Sequence, residues 1–324
     1  MILLLGILII LAFIISMNTG YTHLSPWDLI RTLFGSGTHK EQLILFEFRL
    51  PRIILSIMIG AGLAVSGCIL QSVSRNALAD PGILGINAGA GLMVILFISF
   101  YPSTSAAPVF LLPVLALIGA GLTALVIFSL ASKRNEGLHP TRLLLSGIGV
   151  AAAISAATIV LTLRLSPENY QFVATWMAGS IWGANWKFVL ALLPWVVVLL
   201  PYAFFKASVL NILNLGDQTA AGLGASVQKE RVKLLAVAVG LAGSCVSVSG
   251  GIGFVGLIGP HLARRLVGPK HQMLIPISAM VGSLLVIVGD TIGRWLLQPS
   301  EIPTGIVVAV IGAPYFLYLL GRSK

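Results

Sequence analysis

The sequence is poor in charge. Only 9% of its 324 residues are Asp, Glu, Lys or Arg, against about 25% in an average soluble domain, which excludes a water-facing globule. The formal net charge of +10 does not point to nucleic acid. The basic residues fall in short clusters between apolar runs, without the continuous basic face and interleaved aromatics that such a partner needs. Cysteine is scarce as well. Cys68 and Cys245 lie deep in apolar runs, where a free thiol behaves as a small hydrophobe, and no Cys/His cluster or HExxH has zinc-ligand spacing. No metal and no cofactor are expected. GxxxxGK(S/T) is missing, so the chain cannot itself cradle ATP phosphates in the P-loop manner.

Charge is also missing from the centres of the apolar runs. Ion- or proton-coupled transporters place ionisable residues at the bilayer midplane, where each costs at least ~2.5–3.5 kcal/mol. Their absence counts against an ion-coupled secondary transporter, the main alternative, and points to energy supplied by a partner. Ser249-Gly250-Gly251 with His261 superficially resembles an intramembrane serine protease, but Ser/Gly pairs in apolar spans more often serve close packing. Asp290 is a lone acid with no second acid for a dyad, and pairing with Arg294 at i,i+4 is the expected role.

What is there is hydrophobic: 57% of the chain, with a mean hydropathy of +1.00. This describes a polytopic membrane protein, read as one permease domain over 1–324. A span takes about 20 apolar residues. Candidates run over 2–17, 53–73, 83–100, 109–131, 143–163, 188–205, 234–248, 251–263, 273–292 and 302–320. Pro51 is expected at the start of the second helix, where its missing N–H costs nothing. Trp176, Trp182 and Trp186 mark an interfacial helix between the fifth and sixth spans. The first run lacks a basic n-region, so it is read as a retained span. The eighth span is the awkward one. Gly250 to Gly268 is Gly-rich, too short for a full crossing, and ends in His261, Arg264 and Arg265. It is expected to be tilted or partly re-entrant, with irregular backbone covered by protein.

Of the 20 Lys and Arg, Arg31, Lys40, Arg49, Arg52, Arg164, Lys187 and Arg294 fall on one side of this topology and the rest on the side of both termini. Positive-inside then puts both termini in the cytoplasm. The outer side keeps an unusual number of arginines.

Five motifs follow one another in order: Arg49-Leu-Pro-Arg52; Asn76-Ala-Leu-Ala-Asp-Pro-Gly-Ile-Leu-Gly-Ile; Leu215-Gly-Asp-Gln-Thr-Ala-Ala-Gly-Leu-Gly224; Ile252-Gly-Phe-Val-Gly-Leu-Ile-Gly-Pro-His261-Leu-Ala-Arg264; and Glu301-Ile-Pro-Thr-Gly305. Over essentially its whole length the chain resembles a FecCD-type permease, the membrane subunit of ATP-binding-cassette importers for ferric siderophores, haem and cobalamin. The resemblance implies an all-α, type II importer permease of about ten transmembrane helices. It implies a second permease subunit, as a homo- or heterodimer, two cytoplasmic ATP-binding subunits, an extracytoplasmic substrate-binding protein, a metal-chelate substrate and a lipid surround in the bacterial cytoplasmic membrane. It places binding-protein docking on Arg49, Arg52 and Arg294. ATPase coupling falls on Leu215, Gly216, Asp217, Ala220, Gly222 and Gly224, within a loop of about 207–233 in which Gly222 and Gly224 permit a tight turn. Inner gates fall on Asn76 and Leu78 and on the loop around Pro140 and Thr141, although His139-Pro140 stands where some relatives carry small hydroxyl residues. Asp217 stands where Glu is common.

Overall fold

The computed structural model describes residues 1–20, 26–33, 35–101, 110–133, 137–138 and 140–322. It is helical apart from a two-residue antiparallel pairing of Ser132–Lys133 with Gly137–Leu138. In chain order the helices are α1 (Ile2–Asn18), α2 (Pro26–Leu33), α3 (His39–Gln42), a π-helical segment (Leu43–Arg49), α4 (Leu50–Ser74), a 3-10 turn (Pro81–Leu84), α5 (Ile86–Phe100), α6 (Leu111–Ala131), α7 (Pro140–Thr162), α8 (Pro167–Met177), α9 (Trp186–Phe205), α10 (Ala207–Asn214), α11 (Asp217–Gly222), α12 (Val227–Ser249), α13 (Val255–Val267), α14 (His271–Leu296) and α15 (Thr304–Arg322).

Six helical stretches are long and apolar enough to cross a bilayer, and Ile2–Asn18, Ile86–Phe100 and Thr304–Tyr318 are shorter apolar helices. With α13 they supply the ten expected, and α8 is the helix expected between the fifth and sixth spans. Trp186 Nε1 donates to Phe46 O at 2.8 Å, while Trp182 is exposed.

Two boundaries differ from expectation. The second crossing does not start at Pro51. Helix runs without a break from His39 to Ser74, and the segment before Pro51 is widened to π, Leu50 N donating to Leu45 O. An α-helical register would press the Pro51 ring on the carbonyl four residues back. The π turn shifts that register by one residue, so proline and helix coexist. Similarly, α12 begins at Val227 rather than 234, because the charge-rich stretch Gln228 to Lys233 is itself helical.

The eighth crossing is half helix. Its α13 has 13 residues, about 20 Å at 1.5 Å per residue, short of the ~30 Å hydrocarbon core. The chain enters it through a non-helical stretch with Gly250 and Phe254 at φ +66°. This backbone lies against the end of α8: Ser180 N donates to Ser249 O at 2.8 Å, and Gly305 N, at the start of α15, to Gly179 O at 2.8 Å. Irregular backbone is tolerated at membrane depth where protein covers it.

The centre of the bundle is α4. In its most apolar window 89% of residues are buried, against 17% in α7 and in α9, which turn their side chains outward. Gly60 lets α4 meet α14 backbone to backbone at Gly282, and Gly67 does the same for α13 at Gly256; a Cβ at either would run into the facing carbonyl. Close approach through small residues is how helices associate where lipid removes the hydrophobic drive. Cys68 and Cys245 are buried and free.

Candidate functional site

Charge in the described residues gathers at the two ends of α4. Arg52 lies in its first turn and Arg75 caps its last, about 35 Å apart along the axis. Apolar spacing explains why. A helix this deeply buried can keep charge only at its ends, where partners from neighbouring elements reach it.

At the Arg52 end the hub is Asp290 of α14, whose side chain is 1% exposed. Arg52 Nε donates to both its oxygens at 3.1 Å and Nη2 to Oδ1 at 2.9 Å. Arg294, one turn on, donates from Nε to Oδ2 at 3.0 Å, and the Thr304 hydroxyl donates to Oδ1 at 3.1 Å. The pairing expected from the i,i+4 spacing is therefore present, with two further donors the spacing did not reveal. Arg294 also donates to Thr19 O at 2.8 Å and to the Ser16 hydroxyl, and Arg49 to Met17 O. Both guanidiniums thus take up carbonyls at the end of α1, groups that a helix terminus leaves without intrahelical donors. Glu301, in the loop before α15, meets Arg52 at 2.9 Å. Arg49, Arg52, Arg294 and Glu301 line one cleft of about 180 Å³, with Ile44 and Phe48 as its apolar wall. The three arginines assigned to docking are thus brought together, but Arg49 and Arg294 are 5% exposed and held from inside.

At the other end the hub is Asp217, the first residue of α11. Arg75 and Arg231 both donate to its Oδ1, the latter at 2.8 Å. Arg231 is 1% exposed, although it stands in the first turns of α12. It heads the buried stripe Arg231, Leu234, Leu235, Ala238, Leu241, Ala242 and Cys245, a helical 3–4 spacing. Its Nη1 donates to Leu138 O at 3.0 Å, and Leu138 N in turn donates to Gln228 Oε1 at 3.0 Å. Arg75, in the left-handed conformation at φ +51°, also donates from Nε to Leu213 O at 3.2 Å. One cluster therefore ties the end of α4, the chain before α7, the end of α10, the start of α11 and the start of α12. Burial favours the neutral form of Asp217, but Arg231 and then Arg75 outweigh it and hold the carboxyl below its ordinary value.

The expected gate residues flank this cluster. Asn76 and Leu78 form the turn after Arg75, with Leu78 N donating to Asn76 Oδ1 at 2.9 Å. Pro140 and Thr141 do not form a loop as expected but the first turn of α7; His139 lies outside the described residues. The coupling segment also differs in detail. Gly222 is the last residue of α11, and the left-handed turns fall at Gly216 (φ +108°) and Gly224 (φ +83°). Leu215 and Gly216 join α10 to α11, and Ala220 is the buried residue of α11.

Sequence reasoning passed over a polar link beside this end. The fully buried His271, first residue of α14, lies 2.6 Å from the Ser72 hydroxyl through Nε2 and 2.7 Å from Asn211 Oδ1 through Nδ1. Its backbone N–H also donates to Asn211 Oδ1 at 3.0 Å. As Asn211 Oδ1 can only accept, Nδ1 carries the proton, and the Ser72 hydroxyl stands between Nε2 and Cys68 O, to which it lies at 2.8 Å. Helices α4, α10 and α14 are joined there. Ser249, in contrast, donates to Cys245 O within its own helix at 2.9 Å, and the His261 ring stands edge-on to Tyr315.

The model of the FecCD transport family matches residues 8–322. The iron(3+)-hydroxamate import system permease protein FhuG of Bacillus subtilis is 53% identical over 322 residues, covering 98% of this chain and 95% of that protein. The hemin transport system permease protein HmuU of Yersinia pestis is 37% identical over 334 residues, covering 99% and 96%. Among solved structures, a metal-chelate type ABC transporter in an inward-facing conformation aligns with a TM-score of 0.86 at 30% identity, covering 99% of this chain and 98% of that one.

Proposed function

The chain belongs to the FecCD transport family, and from that premise we propose that it is the permease subunit of a binding-protein-dependent ABC importer carrying an iron(III)–siderophore or similar metal chelate inward. It is a multi-pass membrane transport component rather than an enzyme. The cargo follows from relatives named for ferric hydroxamate, ferric citrate and hemin import. In this reading two permease subunits pair in the bacterial cytoplasmic membrane, two ATP-binding subunits work from the cytoplasm, and a binding protein delivers the chelate from outside. The end of α1 and the start of α15 both lie at the Arg52 end, and this supports reading both termini at the opposite, cytoplasmic side by the positive-inside rule.

The observation that carries the reading is the helix α4 with a charged cluster at either end. The Arg49–Arg52–Arg294 face meets the binding protein. The α10–α11 segment meets the ATPase, and Asp217 joins it to the Asn76–Leu78 turn through Arg75 and to the chain before α7 through Arg231. Movement of α11 then reaches both inner gate elements through hydrogen-bonded neighbours. The chain performs no covalent chemistry; it offers a gated path whose access alternates as the ATPase opens and closes.

The test is uptake of radiolabelled ferric hydroxamate, ferric citrate and hemin by liposomes holding the assembled importer. The expected result is uptake of an iron chelate that needs ATP and persists when ion gradients are collapsed. Loss of uptake with the gradient, ATP still present, would favour an ion-coupled transporter instead. Hemin taken up in preference to ferric hydroxamate would change the cargo and leave the importer class intact.

A further inference from the structure

The Arg52 guanidinium is already occupied on both edges. Its Nε and Nη2 face the buried Asp290. Its outer edge faces Glu301, with Nη1 donating to Oε1 at 3.2 Å and Nη2 lying 2.9 Å from Oε2. The two acids differ in setting. The Asp290 side chain is 1% exposed and shared among Arg52, Arg294 and Thr304, whereas the Glu301 side chain is 31% exposed and gives both oxygens to Arg52. Glu301 also forms part of the cleft wall that carries Arg49, Arg52 and Arg294. Its loop is fixed from both sides: Ile302 N donates to Gly293 O at 3.0 Å, and Thr304 is bonded to Asp290. The carboxylate is therefore presented at one place, in the wall of a cleft that Arg49, Arg52 and Arg294 also line, with Arg52 as its partner.

We infer that Glu301 is an internal stand-in for the partner's carboxylate: an acidic side chain of the docking protein reaches Arg52 only by displacing it. The inference rests on the docking role proposed for Arg52. A pair whose acid is partly open to solvent is weak enough to exchange, yet it covers the positive edge until a carboxylate of better fit arrives, and so tunes docking. Removing a rim acid that competes with the incoming one raises the association rate and steepens its salt dependence.

The experiment measures docking kinetics on the importer reconstituted in nanodiscs. The probe is the binding protein that stimulates ATP hydrolysis by that importer. Glu301→Gln is expected to tighten docking by roughly up to fivefold, an exposed pair's ceiling of about 1 kcal/mol converted at 1.4 kcal/mol per tenfold. Glu301→Asp is expected to stay near wild type. Arg52→Ala and Arg52→Lys, checked for co-purification with the ATPase subunits, separate the two claims. Docking lost in both Arg52 variants, with Glu301→Gln unchanged or weaker, overturns the stand-in role and leaves the docking role standing. Docking at wild-type strength in both Arg52 variants overturns the docking role, and the inference with it.

Discussion

The two ends of α4 hold their charge in opposite ways. At the Arg52 end the acid is 1% exposed, the guanidiniums of Arg49 and Arg294 are taken up by carbonyls of α1, and the cluster is closed from within. At the Arg75 end the acid is 46% exposed, and one of its two cations, Arg75, is 36% exposed. Breaking a buried pair costs about 3–5 kcal/mol because a charge is left behind in a dry site, whereas an exposed pair contributes about 0–1 kcal/mol. The first end is built as a fixed platform. In the proposed reading the second is a joint, tying five segments together through an acid that stays open to solvent.

The contrast is broken most severely at Asp290. Asp290→Asn leaves Arg52 and Arg294 without their shared counter-charge and should cost about 3–5 kcal/mol, seen as a lowered unfolding midpoint of the detergent-solubilised complex. A midpoint equal to wild type would mean that the platform is not held by this acid. Arg231→Met comes next. It keeps the volume but leaves Leu138 O without its donor, so a loss of about 1–3 kcal/mol is expected, together with reduced uptake.

Arg75→Ala sharpens the comparison from the exposed side. Its effect on the midpoint should stay below about 1 kcal/mol while uptake falls severalfold, and a stability loss as large as that of Asp290→Asn would erase the distinction between the ends. The acid dependence carries the same sign argument. Asp217 titrates below its ordinary 3.8, so what the joint contributes is complete above that pH and is lost as pH falls through the lower folded value.

An effect of opposite sign is expected at Asp80, in the turn that follows Asn76 and Leu78. Burial raises its carboxyl from 3.8 to about 6, against the opposing hydrogen bond from Gly82 N. Its ionised form therefore weakens the fold increasingly from pH 3.8 to 6. Asp80→Asn should raise the midpoint at pH 7.5 and much less at pH 4; a change of equal size at both would assign the effect to the cap rather than the charge.

Hydropathy alone located the apolar helices, six of them long enough to cross a bilayer, since runs such as Ile2 to Met17 are too apolar to face water. It missed the helix that precedes α4: Pro51 does stand in the opening turn of α4, but a π turn carries the helix back beyond it. It flagged Gly250 to Gly268 as too short and left open how the shortfall is covered; the answer lies in α8 and α15, which are distant in sequence. The family motifs brought Arg49, Arg52 and Arg294 into view. Apart from the i,i+4 pairing of Arg294 with Asp290, the partners at both ends of α4 were hidden for the same reason of distance: Arg52 and Asp290 are 238 positions apart, and Arg75 and Asp217 are 142 apart. Arg231 was the legible exception. An arginine heading an otherwise apolar helical stripe signals a buried partner, and it passed for loop charge because the helix was expected to begin three residues later.

The central claim is that Asp217 carries motion from the ATPase segment to the gate turns. Its most direct test is the number of ATP molecules hydrolysed per chelate imported by liposomes containing Asp217→Asn, with Asp217→Glu beside it. The account predicts that the Asn importer assembles and hydrolyses ATP while uptake falls at least about tenfold, equivalent to about 1.4 kcal/mol in the coupled step, and that the Glu importer keeps most of its coupling. An Asn importer with the wild-type ratio of ATP to chelate would contradict it.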